Sequence, residues 1–396
     1  MFSKINSIYL LGMEGKNVTV EADVSDGLPG LILVGYLASE VREGGDRVRT
    51  AIKNLGLSLP PKKITVNLSP ADFRKEGTGF DLAIAAAILS SYGGFQAKDL
   101  EDAVFFGELG LDGTVRGIPG VMALTAQARE SGFRRVFLPA ENVKEASFIG
   151  GISLYGVRDL KHLVDMLSGK QPMRPEPPVN MKELQDTMNR YDVDFAELSG
   201  QPLLRRAAEV AAAGKHNLLV VGPAGAGKTM LARRMPTIMP GMDVAESIEI
   251  SKIYSVSGLL TEKEPLVKIR PFRAPHHTVS VQALTGGGRR PKPGEISLAT
   301  GGIQSGTRDT PAAARRPGGD SLESGGHGDI SGQLSACGCD EPMSLRSFSG
   351  PCEVPVHGGT DHAVSTEDIG TTAGQDRSLC GGIPGYLRGH QRRRRK

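Results

Sequence analysis

The pattern G-x-x-x-x-G-K-[ST] is matched at every position by Gly222-Pro223-Ala224-Gly225-Ala226-Gly227-Lys228-Thr229. The apolar run Leu218-Leu219-Val220-Val221 precedes it and is typical of a strand, and Met230-Leu231-Ala232-Arg233-Arg234 follows it and is typical of a helix. Glycines let successive backbone N–H groups point at phosphate oxygens near the positive end of a helix. This strand–loop–helix pattern predicts a phosphate-binding loop in an α/β fold.

Two side chains of the loop have specific chemistry. Lys228 is expected to reach the β- and γ-phosphates of a nucleotide, and the hydroxyl of Thr229 is expected to hold Mg²⁺. The cofactors predicted from these residues are ATP and Mg²⁺, with Thr229 as the metal-binding residue of this chain.

Composition sets wider limits on function. The 396 residues are enough for two or three domains, and a net charge of +3 gives no global basic bias that would demand a nucleic acid partner. No run of about twenty apolar residues is present, so no membrane association is expected. The first residues lack the apolar core of a secretion signal, which predicts a cytoplasmic protein.

The chain divides into four parts. Residues 1–167 are predicted to form an α/β domain, with strands over 18–22 and 63–68 and helices over 41–55 and 81–89. The first helix contains Gly44 and Gly45, each at a cost of about 1 kcal/mol relative to alanine, and Asp81 is expected to cap the second. A proline-rich linker over 168–181, a nucleotide-binding domain over 182–303 and a tail over 304–396 complete the chain.

Several segments together resemble the magnesium-chelatase-like AAA+ ATPases. They are the loop 222–229, Phe272-Arg273-Ala274-Pro275-His276-His277 and Pro293-Gly294-Glu295-Ile296-Ser297-Leu298-Ala299. Residues 64–72 and 74–82 are similar to the ComM/YifB competence-protein branch. The resemblance implies a hexameric ATP-driven motor, with copies of itself and DNA as partners, that drives DNA branch migration when imported DNA is recombined. On this basis Asp194, Leu198, Gly200 and Gln201 are expected near the adenine.

The N-terminal domain of that family is similar to the Lon protease fold. Peptide cleavage there needs a serine nucleophile that is activated by a lysine. Residues 75–80 contain no serine, and residues 120–124 contain no lysine. Thr78 is the one hydroxyl nearby. The resemblance therefore implies a non-proteolytic Lon-like domain.

The second strand of a P-loop ATPase is missing from the pattern. Such a strand ends in an Asp for Mg²⁺ and a Glu for the attacking water, but here Ile303 is followed by Gln304-Ser305-Gly306-Thr307-Arg308. From Gln304 on, Gly, Ser, Arg and Pro dominate without helical or strand periodicity, which predicts a disordered tail and an incomplete AAA+ core. The acidic strand, the sensor and the arginine finger are absent. No catalytic residues are therefore assigned, and the chain is predicted to be hydrolysis-deficient.

We hypothesise that a reading-frame error produced this tail. Residues 340–346 can be encoded by GAT GAA CCC ATG TCC TTG CGG, which shifted by one base reads Met-Asn-Pro-Cys-Pro-Cys-Gly and resembles the family's sensor segment. Residues 373–383 can shift in the same direction to a string that resembles the arginine-bearing segment. Cys337 and Cys339 would then form no zinc site. The alternative is an authentic, divergent tail.

Two other functions stay open at this level. The first is the ATPase subunit of a metal-inserting magnesium chelatase, although the Lon-like domain favours the competence branch. The second is a non-enzymatic interaction protein. Some basic residues could contact DNA phosphates or could be solvated loop charges: Arg273, Arg289, Arg290 and Lys292.

Overall fold

The computed structural model describes residues 1–56, 60–223, 225–276, 278–288, 291–306, 335–340 and 362–365, the last two segments and 303–306 as backbone only. These residues form two compact units. The first comprises Met1–Leu184, Ser251–Val267 and 291–292, and the second comprises Gln185–Ile250 with the described residues of 268–288 and from Pro293 onward. The remaining residues of the predicted tail lie outside the part of the chain that the structure describes.

The first unit is built around one mixed sheet. In chain order its elements are β1 (Phe2–Leu11), β2 (Glu14–Ser25), β3 (Gly30–Val34), α1 (Ser39–Asn54), β4 (Lys63–Ser69), α2 (Asp81–Ser91), β5 (Ala103–Phe105), β6 (Glu108–Leu109), β7 (Val115–Arg116), α3 (Val121–Glu130), β8 (Arg135–Pro139), α4 (Val143–Ala146), β9 (Ser153–Val157) and α5 (Leu160–Leu167). The strand order in the sheet is β3-β4-β2-β1-β5-β8-β9. The strands predicted over 18–22 and 63–68 are confirmed as parts of β2 and β4, where Val18, Val20, Ile64 and Val66 point into the core.

Helix α2 carries a buried ion pair at its start. The expectation that Asp81 caps this helix is wrong, because Phe80 occupies the N-cap position and Asp81 lies inside the helix. The Asp81 carboxylate, 2 % exposed, accepts hydrogen bonds from Arg47 Nε at 2.8 Å and Nη2 at 3.1 Å. The Leu109 N–H donates to it as well, at 3.3 Å. Burial raises the pKa of Asp81 to about 6, even though the Arg47 hydrogen bond acts in the opposite direction.

The two glycines inside α1 have different surroundings. A Cβ on Gly44 would lie 2.6 Å from Oδ1 of Asp81 and 3.3 Å from Nη2 of Arg47. A Cβ on Gly45 would meet Leu31 and Leu33 at 3.4 Å, which is ordinary van der Waals contact. The absence of a side chain at Gly44 therefore makes room for the buried ion pair, whereas no such requirement exists at Gly45.

The linker and the second unit follow. Residues 168–180 contain no helix or strand. The later elements are α6 (Met181–Thr187), α7 (Pro202–Gly214), β10 (Leu218–Val221), α8 (Lys228–Arg234), α9 (Val244–Val256), β11 (Phe272–Arg273), α10 (Val281–Thr285), β12 (Gly286–Gly287), β13 (Lys292–Pro293), α11 (Glu295–Leu298), β14 (Ile303–Gly306), β15 (Ser335–Asp340) and β16 (His362–Ser365). Among the helices that the structure describes, none is long and apolar enough to cross a bilayer.

The second unit contains a parallel sheet, and this sheet corrects our expectation that the sequence beyond Ile303 forms no strand. Its strand order is β11-β14-β15-β10-β16, and all four pairings are parallel. The sequence beyond Ile303 predicts no strand, yet β14, β15 and β16 all belong to this sheet. A strand ladder is made by backbone N–H and C=O groups. A segment without apolar alternation can therefore still pair, and that is the reason the pattern-based prediction failed.

We predict opposite effects for two neighbouring substitutions in α1. Gly45→Ala should raise the free energy of unfolding by up to about 1 kcal/mol, because alanine has the higher helix propensity and its methyl group fits. Gly44→Ala should lower it by about 1–3 kcal/mol, because the added methyl group displaces a buried, hydrogen-bonded carboxylate. Equilibrium urea unfolding followed by circular dichroism measures both. Equal effects of the two substitutions would contradict this account of Gly44.

We also predict that Asp81 makes the free energy of unfolding depend on pH. Its pKa is about 6 in the folded protein against an ordinary 3.8, so the folded state retains a proton that the unfolded state releases. The free energy of unfolding should therefore fall between about pH 4 and pH 6, by up to about 3 kcal/mol. The Asp81→Asn variant lacks this titrating group. The free energy of unfolding of the wild type minus that of the variant should therefore decline over the same pH range. Urea titrations at several pH values test this, and a difference that does not vary with pH would exclude it.

Candidate functional site

The glycine-rich loop connects β10 to α8, as the sequence predicts. Gly225 and Gly227 both have φ of 82°, in the left-handed region that residues with a Cβ rarely adopt. Gly227 directly precedes α8, whose first two residues are Lys228 and Thr229. Ala224 lies outside the described residues. The strand, the loop and the helix thus occur in the order and at the spacing that phosphate binding requires.

The ammonium group of Lys228 lies against the loop itself. Lys228 is 5 % exposed, and its Nζ donates hydrogen bonds to the carbonyl oxygens of Gly222 at 2.8 Å and Pro223 at 2.9 Å. An ammonium group has three N–H donors, so one remains after these two bonds. Thr229, next along the helix, is exposed. A positive charge is therefore fixed beside the loop and a hydroxyl lies at the start of the helix.

A cavity adjoins this loop and brings several predicted residues together. Its walls come from the segment before α7, from the first turn of α7, from the loop and from α8. Leu198, Gly200 and Gln201 line it, together with Gly225 and Gly227. Residues that are more than twenty positions apart in the sequence thus meet at one site.

Asp194 has a different position from these residues. It does not line the cavity but caps a short 3-10 turn, Phe195–Glu197. Its Oδ1 accepts a hydrogen bond from the Ala196 N–H at 2.8 Å, and Glu197 Oε1 accepts one from the Asp194 N–H at 3.1 Å. This reciprocal capping box fixes the turn that leads into Leu198. Asp194 therefore influences the cavity through the backbone.

The capped turn is fastened to α8 by contacts that the sequence did not indicate. Glu197 Oε2 accepts hydrogen bonds from Arg234 at the end of α8, from Nε at 3.1 Å and also from Nη2. These bonds hold the pKa of Glu197 below its ordinary value. The Phe195 N–H donates to Thr237 Oγ1 at 3.1 Å. The partners are about forty residues apart, so no local pattern could have revealed them.

Gln201 and Arg205 complete the wall on the α7 side. Gln201, the N-cap residue of α7, has φ of 51°, and its Nε2 donates to the Ala226 carbonyl oxygen at 3.2 Å. Arg205 Nη1 donates to the Leu198 carbonyl oxygen at 3.1 Å. Sequence analysis singled out Gln201 but missed Arg205. The available signal was helical spacing, since residues four apart share one face of a helix.

The other polar residues of interest in this unit have local partners. Arg273 in β11 forms a bidentate ion pair with Glu295, in which Nε donates to Oε2 at 2.7 Å and Nη2 donates to Oε1 at 2.6 Å. Its guanidinium group is therefore engaged within the protein. His276 Nδ1 lies 2.8 Å from Thr278 Oγ1. The neighbouring residues that the sequence analysis also named, His277, Arg289 and Arg290, lie outside the described residues. In the part of the chain that is described, no group of three or more His, Cys, Asp or Glu residues could hold a metal ion.

In the first unit, the residues examined for proteolytic chemistry do not form a nucleophile–lysine pair. Thr78 Oγ1 donates to a carboxylate oxygen of Glu108. Lys75 is fully buried, its ammonium group donates to the carbonyl oxygens of Pro70 and Phe73, and it lies 4.1 Å from the Phe73 ring centroid. Burial lowers the pKa of Lys75. Lys75 thus stabilises the turn over residues 70–73, and the hydroxyl of Thr78 is hydrogen-bonded to Glu108 and not to a lysine.

Fold and site together define an α/β protein with a glycine-rich loop between a parallel strand and a helix. Two family profiles match the sequence. The profile described as magnesium chelatase, subunit ChlI, matches residues 194–304, and the one described as subunit ChlI of Mg-chelatase matches residues 20–142. The first match covers the loop and the cavity, and the second covers most of the sheet of the first unit.

Individual relatives agree with these profiles. An uncharacterised protein of Mycobacterium tuberculosis is 42 % identical over 298 residues, which are 75 % of this chain and 58 % of that protein. The competence protein ComM of Haemophilus influenzae is 40 % identical over 296 residues, 74 % of this chain and 57 % of ComM. The uncharacterised protein YifB of Escherichia coli is 40 % identical over 295 residues, 74 % and 56 % of the two chains. This chain belongs to the magnesium-chelatase-like ComM/YifB family and spans less than two thirds of the length of these relatives.

Two weaker similarities cover smaller shares of the chain. The Lon protease of Finegoldia magna is 26 % identical over 173 residues, 41 % of this chain and 22 % of the protease. The DNA repair protein RadA of Escherichia coli is 33 % identical over 106 residues, 26 % of this chain and 22 % of RadA. The similarity to Lon is weak and covers a small share of the protease.

Proposed function

We propose that the second unit binds ATP together with Mg²⁺. The observation that carries this proposal is the Lys228 ammonium group, which is held 2.8 Å from the Gly222 carbonyl oxygen beside a cavity open to a ligand. An ammonium group in this position can move from the loop carbonyls to the β- and γ-phosphates. Membership of a family related to a magnesium chelatase subunit supports the same ligand class.

Each part of the site has a role in this proposal. The backbone N–H groups of residues 222–229, except Pro223, which has none, surround the phosphates, Lys228 neutralises their charge, and Thr229 binds the metal. Leu198, Gly200 and Gln201 face the nucleoside, since they line the cavity that continues from the loop. Asp194 acts indirectly by capping the turn before Leu198.

We further propose that the intact relatives are hexameric cytoplasmic motors that use ATP to move DNA strands, and that this chain hydrolyses ATP poorly. The ComM similarity supports the link to competence. Strand β14 contains no acidic residue and ends at Gly306, followed by Thr307 and Arg308. Without an Asp for Mg²⁺ and a Glu for water, little stabilisation is available for the transition state. The absence of an arginine finger alone would lower the rate by about 10³-fold or more.

We also propose that the residues from 304 onward are translated out of frame. The shifted reading yields its Met-Asn-Pro string at residues 340–342, which begins at Asp340, the last residue of β15. In the sheet, Asp340 pairs with Val221, the last residue before the phosphate loop. An asparagine encoded there would follow the strand next to β10, on the side where the phosphate loop begins. This placement is the one a γ-phosphate sensor needs.

The nucleotide proposal predicts distinct effects for two adjacent substitutions. Lys228→Ala should weaken ATP binding at least tenfold, roughly the effect of one charge-assisted hydrogen bond. Thr229→Ala should weaken binding in the presence of Mg²⁺ and have little effect in its absence, because the hydroxyl acts through the metal. Isothermal titration calorimetry with and without Mg²⁺ measures both. A folded wild-type protein that binds no ATP would reject the proposal and favour a non-enzymatic interaction protein.

The reading-frame proposal predicts a result at the level of the gene. Resequencing across the codons for residues 299–334 should reveal one inserted or deleted base, and its correction should restore an apolar strand that ends in acidic residues after Ile303. If the printed frame is confirmed, the proposal fails and the divergent tail is authentic.

A further inference from the structure

Arg205 lies between two neighbouring cavities of the candidate nucleotide site. It lies in the first turn of α7, is half-buried, and lines the same cavity as Gly225 and Gly227. A second, more open cavity is also lined by Arg205, together with Gly200, Arg206 and Glu209. Arg205 and Gly200 are thus common to both cavities. A ligand that extends from the loop cavity into the open one passes the Arg205 side chain.

The guanidinium group of Arg205 is held in place from one side. Nη1 donates to the Leu198 carbonyl oxygen at 3.1 Å, and the guanidinium carbon lies 5.7 Å from the ring centroid of Phe195. Phe195 is buried and is itself anchored through its N–H to Thr237. These contacts keep the planar group in one orientation, which a flexible surface arginine would lack.

Arg205 also differs from the neighbouring arginines in its charge partners. Arg206 pairs with Glu209 at 3.1 Å, and Arg234 pairs with Glu197. Arg205 pairs with no carboxylate of a described residue. Among the residues that the structure describes, no carboxylate therefore neutralises its charge, and apolar side chains, Leu204 and Met230 among them, line the cavity beside it. A planar cation in apolar surroundings favours stacking on an aromatic ring.

We propose that the Arg205 guanidinium group stacks on the base of the bound nucleotide and makes the site selective for purine nucleoside triphosphates. This inference rests on the proposed function, since the loop must hold the phosphates for the base to reach Arg205. A purine offers a larger ring surface than a pyrimidine, so the stacking favours purines. Inorganic tripolyphosphate has no base and gains nothing from Arg205.

The test compares ligands that share phosphates and differ in the base. ATP, CTP and inorganic tripolyphosphate are titrated calorimetrically, with Mg²⁺, into the full chain and its variants. Arg205→Ala should raise the dissociation constant for ATP by about tenfold, the effect expected for the loss of one cation–π contact. The value for CTP should change less, and the value for tripolyphosphate should stay unchanged. Arg205→Lys should resemble Arg205→Ala, because lysine keeps the charge but not the plane.

Controls separate this inference from the proposed function. Arg233→Ala, a change at an exposed arginine of α8 outside both cavities, should bind all three ligands as the wild type does. Thermal unfolding by circular dichroism shows whether Arg205→Ala folds, and Arg205→Lys serves as the second variant if it does not. Full ATP affinity in either Arg205 variant would overturn the stacking role, and an equal loss for tripolyphosphate would assign Arg205 to the phosphates. Wild-type protein that binds neither ATP nor tripolyphosphate would overturn the proposed function and this inference together.

Discussion

The left-handed backbone at Gly225 and Gly227 is the constraint on which the candidate site depends. With φ of 82° at both residues, the chain turns between β10 and α8 so that Lys228, the first residue of the helix, contacts the carbonyl oxygens of Gly222 and Pro223. A side chain at either glycine would disfavour this conformation. The charge of Lys228, the cavity beside the loop and the contact from Gln201 to Ala226 all presuppose that turn.

Around this loop, long-range contacts determine the shape of the cavity. The capped turn at 195–197 is tied to the end of α8 by Glu197 and Arg234, while Lys228 forms the start of the same helix. Arg205 adds a bond from α7 to the Leu198 carbonyl oxygen. The glycine-rich loop and the cavity wall that contains Leu198 are therefore connected through one short helix. Such a network holds polar groups in place before a ligand arrives, which lowers the entropy cost of binding.

The first unit shows how a local cost can support a distant interaction. Glycine inside a helix is unfavourable by about 1 kcal/mol, yet Gly44 leaves room for the Asp81 carboxylate and its bonds from Arg47 and the Leu109 N–H. Burial of this carboxylate keeps its pKa high despite the arginine. A buried ion pair of this kind joins α1, α2 and β6, and removing one partner would leave the other charge uncompensated.

The sequence by itself determined the strand–loop–helix unit at 218–234, strands β2 and β4, and the family, because these depend on local spacing and on the chemistry of a few residue types. Asp81 was misjudged as a cap because its partner Arg47 is 34 residues away. The Glu197–Arg234 pair escaped notice for the same reason, whereas Arg205, whose partner Leu198 is seven residues away, was missed although its helical spacing from Gln201 was visible in the sequence. Strands β14, β15 and β16 were missed because their pairing uses backbone groups common to every sequence. Only the tertiary structure could decide these features, since each depends on which distant segments pack together.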